Sequence, residues 1–154
     1  MSLDLSVLME KKISKRLLGS VNTFLTVNGF VKGDYGYSHV DDEISLNVYI
    51  DLEPEKDDYS DDQLTVAIGF VPMTVISLES RHDFESHQSN YHFAKQLAKL
   101  VDGVIYDHQV GVIYDFEGKP YACYRTDGDF KEYGAGAELF MQGLRIAKDT
   151  LGES

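Results

Sequence analysis

The chain has 154 residues, a net charge of −12 at pH 7 and an isoelectric point near 4.6. So acidic a chain lacks the basic surface that nucleic acid or anionic lipid requires, and we expect neither as a partner. The single cysteine, Cys123, excludes an internal disulfide and a cysteine-rich zinc site. No apolar run approaches the roughly 20 residues of a membrane span, and no signal-peptide pattern is present. We expect one cytoplasmic domain over residues 1–154.

The first predicted element is a helix over residues 4–28, in one piece or in two collinear pieces broken near Gly19. Apolar residues at three- and four-residue spacing form one face of this helix: Ile13, Leu17, Val21 and Phe24. Basic residues form i,i+4 pairs on its other side: Lys11 with Lys15, and Lys12 with Arg16. Asn28-Gly29 is the predicted stop signal.

A series of strands is predicted next. Residues 30–39 form the first, and residues 44–52 form the second, which shows the clearest alternation of apolar and polar residues. Residues 64–70 and 74–79 form two more strands, paired as a hairpin. The acidic stretch 51–62 between the second and third strands predicts an exposed loop.

The segment 89–124 is the one around which the chain is organised. It begins with a predicted helix, NYHFAKQLAKLVD, capped by Ser89 and ending at Asp102-Gly103. Its predicted apolar stripe consists of Phe93, Leu97, Leu100 and Val101, with Ala94 beside them. The pentapeptide GVIYD then occurs twice at a spacing of eight, which predicts two strands covered on both faces and folded back as a hairpin.

A short strand over residues 119–125 and a final helix follow. The stripe of this last helix is Ala137, Phe140, Leu144, Ala147 and Leu151. The element order is therefore α-β-β-β-β-α-β-β-β-α. It predicts an α+β fold with a largely antiparallel sheet of about five to seven strands and three helices, mainly on one face.

Signatures of catalysis and of cofactor binding are missing or incomplete, since the chain has no HExxH, EF-hand, P-loop, dinucleotide or GxSxG pattern. Four histidines around the central helix are the candidates for a metal site: His82, His87, His92 and His108. The first three are five residues apart, a spacing that rotates successive side chains off one helical face. We therefore expect no metal, no cofactor and no enzymatic activity. A small enzyme, or a ligand- or metal-binding protein using the region from His82 to His108, is the alternative.

The acidic stretch and its tyrosines form the candidate partner-binding surface. Its members are Asp51, Glu53, Glu55, Asp57, Asp58, Asp61 and Asp62, with Tyr49 and Tyr59. Tyrosine provides a large contact area at low entropic cost, and a dense negative charge accelerates association with a basic partner. A loop that serves only solubility is the alternative interpretation.

The chain resembles small, uncharacterised bacterial α+β proteins, including immunity proteins of toxin systems. The resemblance rests on the N-terminal segment ending VNGF, the strands after it, and HFAKQLAKLVDGVIYDHQVG. It implies an acidic protein that binds and occludes another protein, and it transfers no catalytic residues. We therefore expect a non-enzymatic protein-binding module, such as an immunity-type inhibitor of a basic toxin or nuclease. A homodimer formed through an apolar strand edge is a further alternative.

Overall fold

A computed structural model describes residues 2–54, 68–108 and 112–123. Its elements in chain order are β1 (Ser2–Met9), α1 (Lys15–Val27), β2 (Val31–Lys32), β3 (Tyr37–Val40), β4 (Ser45–Asp51), β5 (Thr74–Arg81), α2 (Phe84–Val101), β6 (Val104–Asp107), β7 (Val112–Tyr114) and β8 (Pro120–Cys123). The strands form one antiparallel sheet in the order β2-β3-β4-β5-β1-β6-β7-β8. The predicted α+β class with an antiparallel sheet is confirmed. The numbers of elements differ from the prediction, because the elements given above for the described residues are eight strands and two helices, and not five to seven strands and three helices.

The centre of the sheet has a recognisable connectivity. Strands β1 and β4 are joined through α1 and have β5 between them, while β5 and β6 are joined through α2 and have β1 between them. Two split β-α-β units interleaved in this way make the ferredoxin-like arrangement. The hairpin β2–β3 extends it at one edge and β7–β8 at the other.

The N-terminal helix is shorter than predicted, because residues 2–9 form a strand. Leu5, Val7 and Met9 alternate onto one face, the period of two that a strand imposes. Helix α1 begins after Ser14, whose side chain accepts a hydrogen bond from the Leu17 N–H at 3.1 Å. The predicted stop is confirmed, with Asn28 as the C-cap.

The later start of α1 also changes where the basic residues lie relative to the helix. Lys11 and Lys12 precede the helix, so the predicted i,i+4 pairs with Lys15 and Arg16 do not form.

Some of the other predicted strands are confirmed and others are not. The predicted strand over 30–39 is two strands, β2 and β3, paired with each other, whereas the prediction over 44–52 is confirmed as β4. Residues 68–70 are not in a strand, and residues 64–67 lie outside the described part. Strand β5 is confirmed, but its partners in the described chain are β4 and β1, not a hairpin neighbour.

The central helix starts earlier than predicted. Asp83 caps its N-terminus by accepting from the Ser86 N–H, and Ser89 lies inside the helix. The predicted end is confirmed, although the left-handed residue is Asp102, with φ of 56°. The GVIYD repeat forms the predicted hairpin of buried strands, β6 and β7, and β8 follows it. The predicted helix over 137–151 lies outside the described residues.

Both described helices pack on one face of the sheet, which we call the covered face. Its core consists of strand residues Leu5, Val7, Leu46, Val48, Ile76, Leu78 and Ile105, and of helix residues Val21, Leu25, Ala94, Leu97, Ala98 and Val101. We call the opposite side the open face. A small apolar cluster is buried at one end of the open face: Leu8, Val75, Tyr106 and Ile113, with Ile68 and Phe70 packed against it.

Neither of these helices could cross a membrane, because neither is both long enough and apolar enough.

Candidate functional site

A row of polar side chains crosses five strands on the open face. The register places Ser38 of β3 opposite Asn47 of β4, Asn47 opposite Glu79 of β5, and Glu79 opposite Asp4 of β1. His108, directly after β6, completes the row because its backbone N–H donates to the Asp4 carbonyl at 3.4 Å. We call these five residues the polar row. Ser38 and His108 are exposed, and Asn47, Glu79 and Asp4 are partly exposed.

The ends of the polar row are held by hydrogen bonds within the sheet. The Ser38 hydroxyl donates to the Asn47 side-chain oxygen at 3.0 Å. At the other end, His108 Nε2 lies 2.7 Å from the Ser6 hydroxyl, and its ring packs against Tyr106 with centroids 4.4 Å apart. These contacts give the row a defined shape.

The middle of the polar row contains two carboxylates in directly opposing positions. Partial burial, followed by the negative charge of Asp4, raises the pKa of Glu79. Among the described residues no lysine, arginine or histidine forms an ion pair with Glu79. Like charges directly opposite in a sheet destabilise it.

The carboxylate of Asp4 also affects the pKa of His108. Loss of water around its ring lowers the pKa of His108, and the charge of Asp4 opposes that shift. The neutral imidazole is therefore favoured near neutral pH, and the negative charge of Asp4 and Glu79 dominates the row.

The structure shows two of the predicted partner-binding residues on this face. Tyr49 lies opposite Ser77 and is 36% exposed, and Asp51 lies opposite Val75 at the end of β4. Glu53, just beyond, is exposed and lies 3.8 Å from the Lys12 ammonium. The other predicted members lie outside the described residues: Glu55, Asp57, Asp58, Tyr59, Asp61 and Asp62.

The four histidines proposed for a metal site do not come together. His87 is half-buried on the covered face, where its ring packs edge-on against Tyr91 with centroids 5.0 Å apart. His108 is on the open face, and His82 and His92 are exposed on the outer side of the molecule. Within the described ranges, no three His, Cys, Asp or Glu side chains are arranged to hold a metal ion.

A polar cluster lies beneath α2 on the covered face. The Tyr91 hydroxyl donates to the Asp107 carboxylate, and the Tyr91 and Tyr114 rings meet edge-to-face at 5.9 Å. All three residues are fully buried, so no substrate reaches them from solvent. Burial, followed by the charge of Asp107, raises the pKa of Tyr91 well above its usual value, so its proton stays in the hydrogen bond. The cluster anchors α2 to β6 and β7.

The sequence prediction missed the two central carboxylates of the polar row. The prediction places Asp4 in a helix and Glu79 in a strand paired with residues 64–70, so it does not bring the two carboxylates together. The available signal was the alternation LDLSV at residues 3–7, which places Leu5 and Val7 on one face and Asp4 and Ser6 on the other.

Comparison of the chain with protein-family models, curated proteins and solved structures found no match.

Proposed function

We propose that this chain is a non-enzymatic protein-binding module that receives a basic partner on its open face. The observation that supports this most directly is the opposed pair Asp4 and Glu79 in the middle of a partly exposed polar row. A lysine or arginine placed between the two carboxylates would form charge-assisted hydrogen bonds and remove their mutual repulsion.

The surroundings of the carboxylate pair suit protein recognition. Five strands at the usual spacing make the row about 19 Å long. Tyr49, one residue row away, adds an aromatic contact, and Asn47 adds an amide that can donate and accept. A rigid sheet loses little conformational freedom on binding, which favours affinity for a complementary surface.

The specific form that we propose is an immunity-type inhibitor of a basic toxin or nuclease. The net charge of −12 would accelerate encounter with such a partner at low ionic strength, because the Debye length is then long. The partner's nucleic-acid-binding or catalytic surface would itself be basic, so occluding it calls for carboxylates on a flat face. The resemblance to immunity proteins points in the same direction.

The test is a comparison of two isosteric double variants. Asp4→Asn with Glu79→Gln removes the charges of the pair, whereas Glu85→Gln with Glu117→Gln removes two exposed charges away from the open face. Tagged wild type and both variants are used to capture partners from a lysate of the source cell. We expect wild type and the control to capture a basic protein that the open-face variant releases.

Association kinetics then separate binding from general electrostatics. We expect the open-face variant to associate at least tenfold more slowly at low salt and to approach wild type at high salt. A third variant with Asp57, Asp58, Asp61 and Asp62 neutralised shows whether the acidic stretch contributes to steering. Equal capture and equal rates for the open-face variant and wild type would refute the role of the polar row.

Co-expression tests the immunity-type form. If the captured protein arrests growth when produced alone, wild type should restore growth and the open-face variant should restore it less. A captured partner that is acidic, or that causes no growth arrest, would contradict this form of the proposal.

A further inference from the structure

A groove runs between the two helices on the outer side of the covered face. It has a volume of about 830 Å³, and most of its surface is apolar. Phe24 of α1 and Leu100 of α2 provide apolar side chains to its lining, and Leu100 is 38% exposed. The α1 residues that line the groove extend from Arg16 to Phe24, about 12 Å along the helix axis. This length matches two to three turns of a second helix.

The charges around the groove are opposite to those of the polar row. Arg16 and Lys99 line it, and none of its lining residues is a carboxylate, in a chain where acidic residues outnumber basic ones by 26 to 14. An adjoining cavity of about 390 Å³ shares Lys99 and is also lined by Lys95, the exposed Phe116 and the ion pair between Lys119 and Glu117. Apolar and basic side chains therefore predominate along the outer side of α2.

Gly19 lies in the groove, in the second turn of α1. Glycine inside a helix costs about 1 kcal/mol relative to alanine. A Cβ atom at this position would meet no atom within 4 Å, so no internal packing requires the small residue. The backbone of α1 is thus open to close approach from outside.

We infer that this groove docks an acidic amphipathic helix of a second protein. Apolar side chains on one stripe of that helix would contact Phe24 and Leu100, and flanking carboxylates would pair with Arg16 and Lys99. Helix-in-groove recognition of this kind uses apolar anchors at i, i+3, i+4 and i+7. The surface lies on the other side of the molecule from the polar row and selects the opposite charge, so the inference is independent of the proposed function.

An anionic membrane would also be attracted to basic and apolar side chains. A membrane is an extended surface that would also face the many carboxylates of a chain with net charge −12, whereas a short helix would contact the groove alone. A protein segment is therefore the favoured ligand. Binding of the protein to phosphatidylserine vesicles is therefore also measured.

The probe is a synthetic, fluorescein-labelled amphipathic peptide of about four helical turns, with leucines at the anchor spacing and glutamates beside them. A matched peptide has glutamines in place of the glutamates. Binding to the full chain is measured by fluorescence anisotropy. We expect the glutamate peptide to bind and the glutamine peptide to bind at least tenfold more weakly.

Three protein variants locate the site. Gly19→Leu fills the groove, and Arg16→Glu with Lys99→Glu reverses its charge. Lys11→Glu is the control, because Lys11 is exposed before α1 and lines a cavity that shares no residue with the groove. Each groove variant should weaken binding of the glutamate peptide at least tenfold, while the control leaves it unchanged. Circular dichroism melts verify that each variant is folded, and if Gly19→Leu fails to fold, the charge-reversal variant still tests the site.

The inference is overturned by any of three results. These are no binding of the glutamate peptide at about 1 mM, equal binding of both peptides, and unchanged binding by the charge-reversal variant. Sedimentation of the protein with phosphatidylserine vesicles, without binding of the glutamate peptide, would assign the groove to a membrane and equally overturn it.

Discussion

The two faces of the sheet are built from alternate residues of the same strands, yet they differ in almost every physical property. On β1, Leu5 and Val7 point to the covered face and are fully buried, whereas Asp4 and Ser6 point to the open face. On β5, Leu78 and Glu79 show the same contrast. The covered face holds the main core of the fold, and the open face combines a small buried apolar cluster at one end with the polar row.

The magnitudes explain why the faces can have separate roles. Full burial of a leucine or valine side chain contributes about 1.5–3 kcal/mol. A cross-strand pair on an open face changes stability by only about 0.2–1 kcal/mol. The covered face can therefore offset an unfavourable carboxylate pair on the other side, and the fold tolerates Asp4 opposite Glu79.

The largest effect is expected on the covered face. Leu97→Ala removes a fully buried side chain from the contact between α2 and the sheet. We expect a loss of about 2–5 kcal/mol in the free energy of unfolding, measured by urea denaturation. Leu100→Ala is the matched control, because Leu100 lies one turn away and is 38% exposed. Equal losses for the two variants would show that the covered face is assigned incorrectly.

Leu100 also shows which part of the prediction for α2 was wrong. Periodicity predicted α2, its end and the inward position of Leu97 and Val101, because those features depend on local spacing. It also placed Leu100 on the stripe, although the structure leaves Leu100 half-exposed and buries Ala98. A helix that packs on a sheet buries small residues where the backbones approach, which spacing alone does not reveal.

The site was harder to predict than the fold for a related reason. The polar row is assembled by register across five strands that are distant in sequence, from Asp4 to His108. Strand order is a tertiary property, and a single sequence contains no direct record of it. The exposure of Tyr49 and Asp51 could be predicted from their local sequence, whereas the pairing of Asp4 with Glu79 could not.

An intermediate effect is expected from the buried polar cluster. Tyr91→Phe preserves the ring but removes the hydroxyl that donates to the Asp107 carboxylate. A hydrogen bond to a charged group contributes about 1.5–3 kcal/mol, so we expect a loss of that size in the free energy of unfolding. Tyr49→Phe on the open face is the control and should change stability by less than about 0.5 kcal/mol. A loss below that value for Tyr91→Phe would contradict the anchoring role of the cluster.

The smallest effect has the opposite sign and is expected on the open face. Because the folded-state pKa of Glu79 is raised, the folded protein holds this proton more tightly than the unfolded chain does. Ionisation therefore costs stability, and the cost is absent below the usual glutamate pKa and complete above the raised one. Glu79→Gln should thus gain about 0.2–1 kcal/mol at neutral pH and nothing near pH 3.

Urea denaturation at a series of pH values between these limits measures that gain. Glu43→Gln, at an exposed turn, is the control and should show no such dependence. If the gain in the free energy of unfolding persists at low pH, the new amide causes it and the loss of the charge does not. If Glu79→Gln both stabilises the free protein and slows association with a basic partner, the repulsion between Asp4 and Glu79 is a stability cost retained for binding, as expected at functional sites.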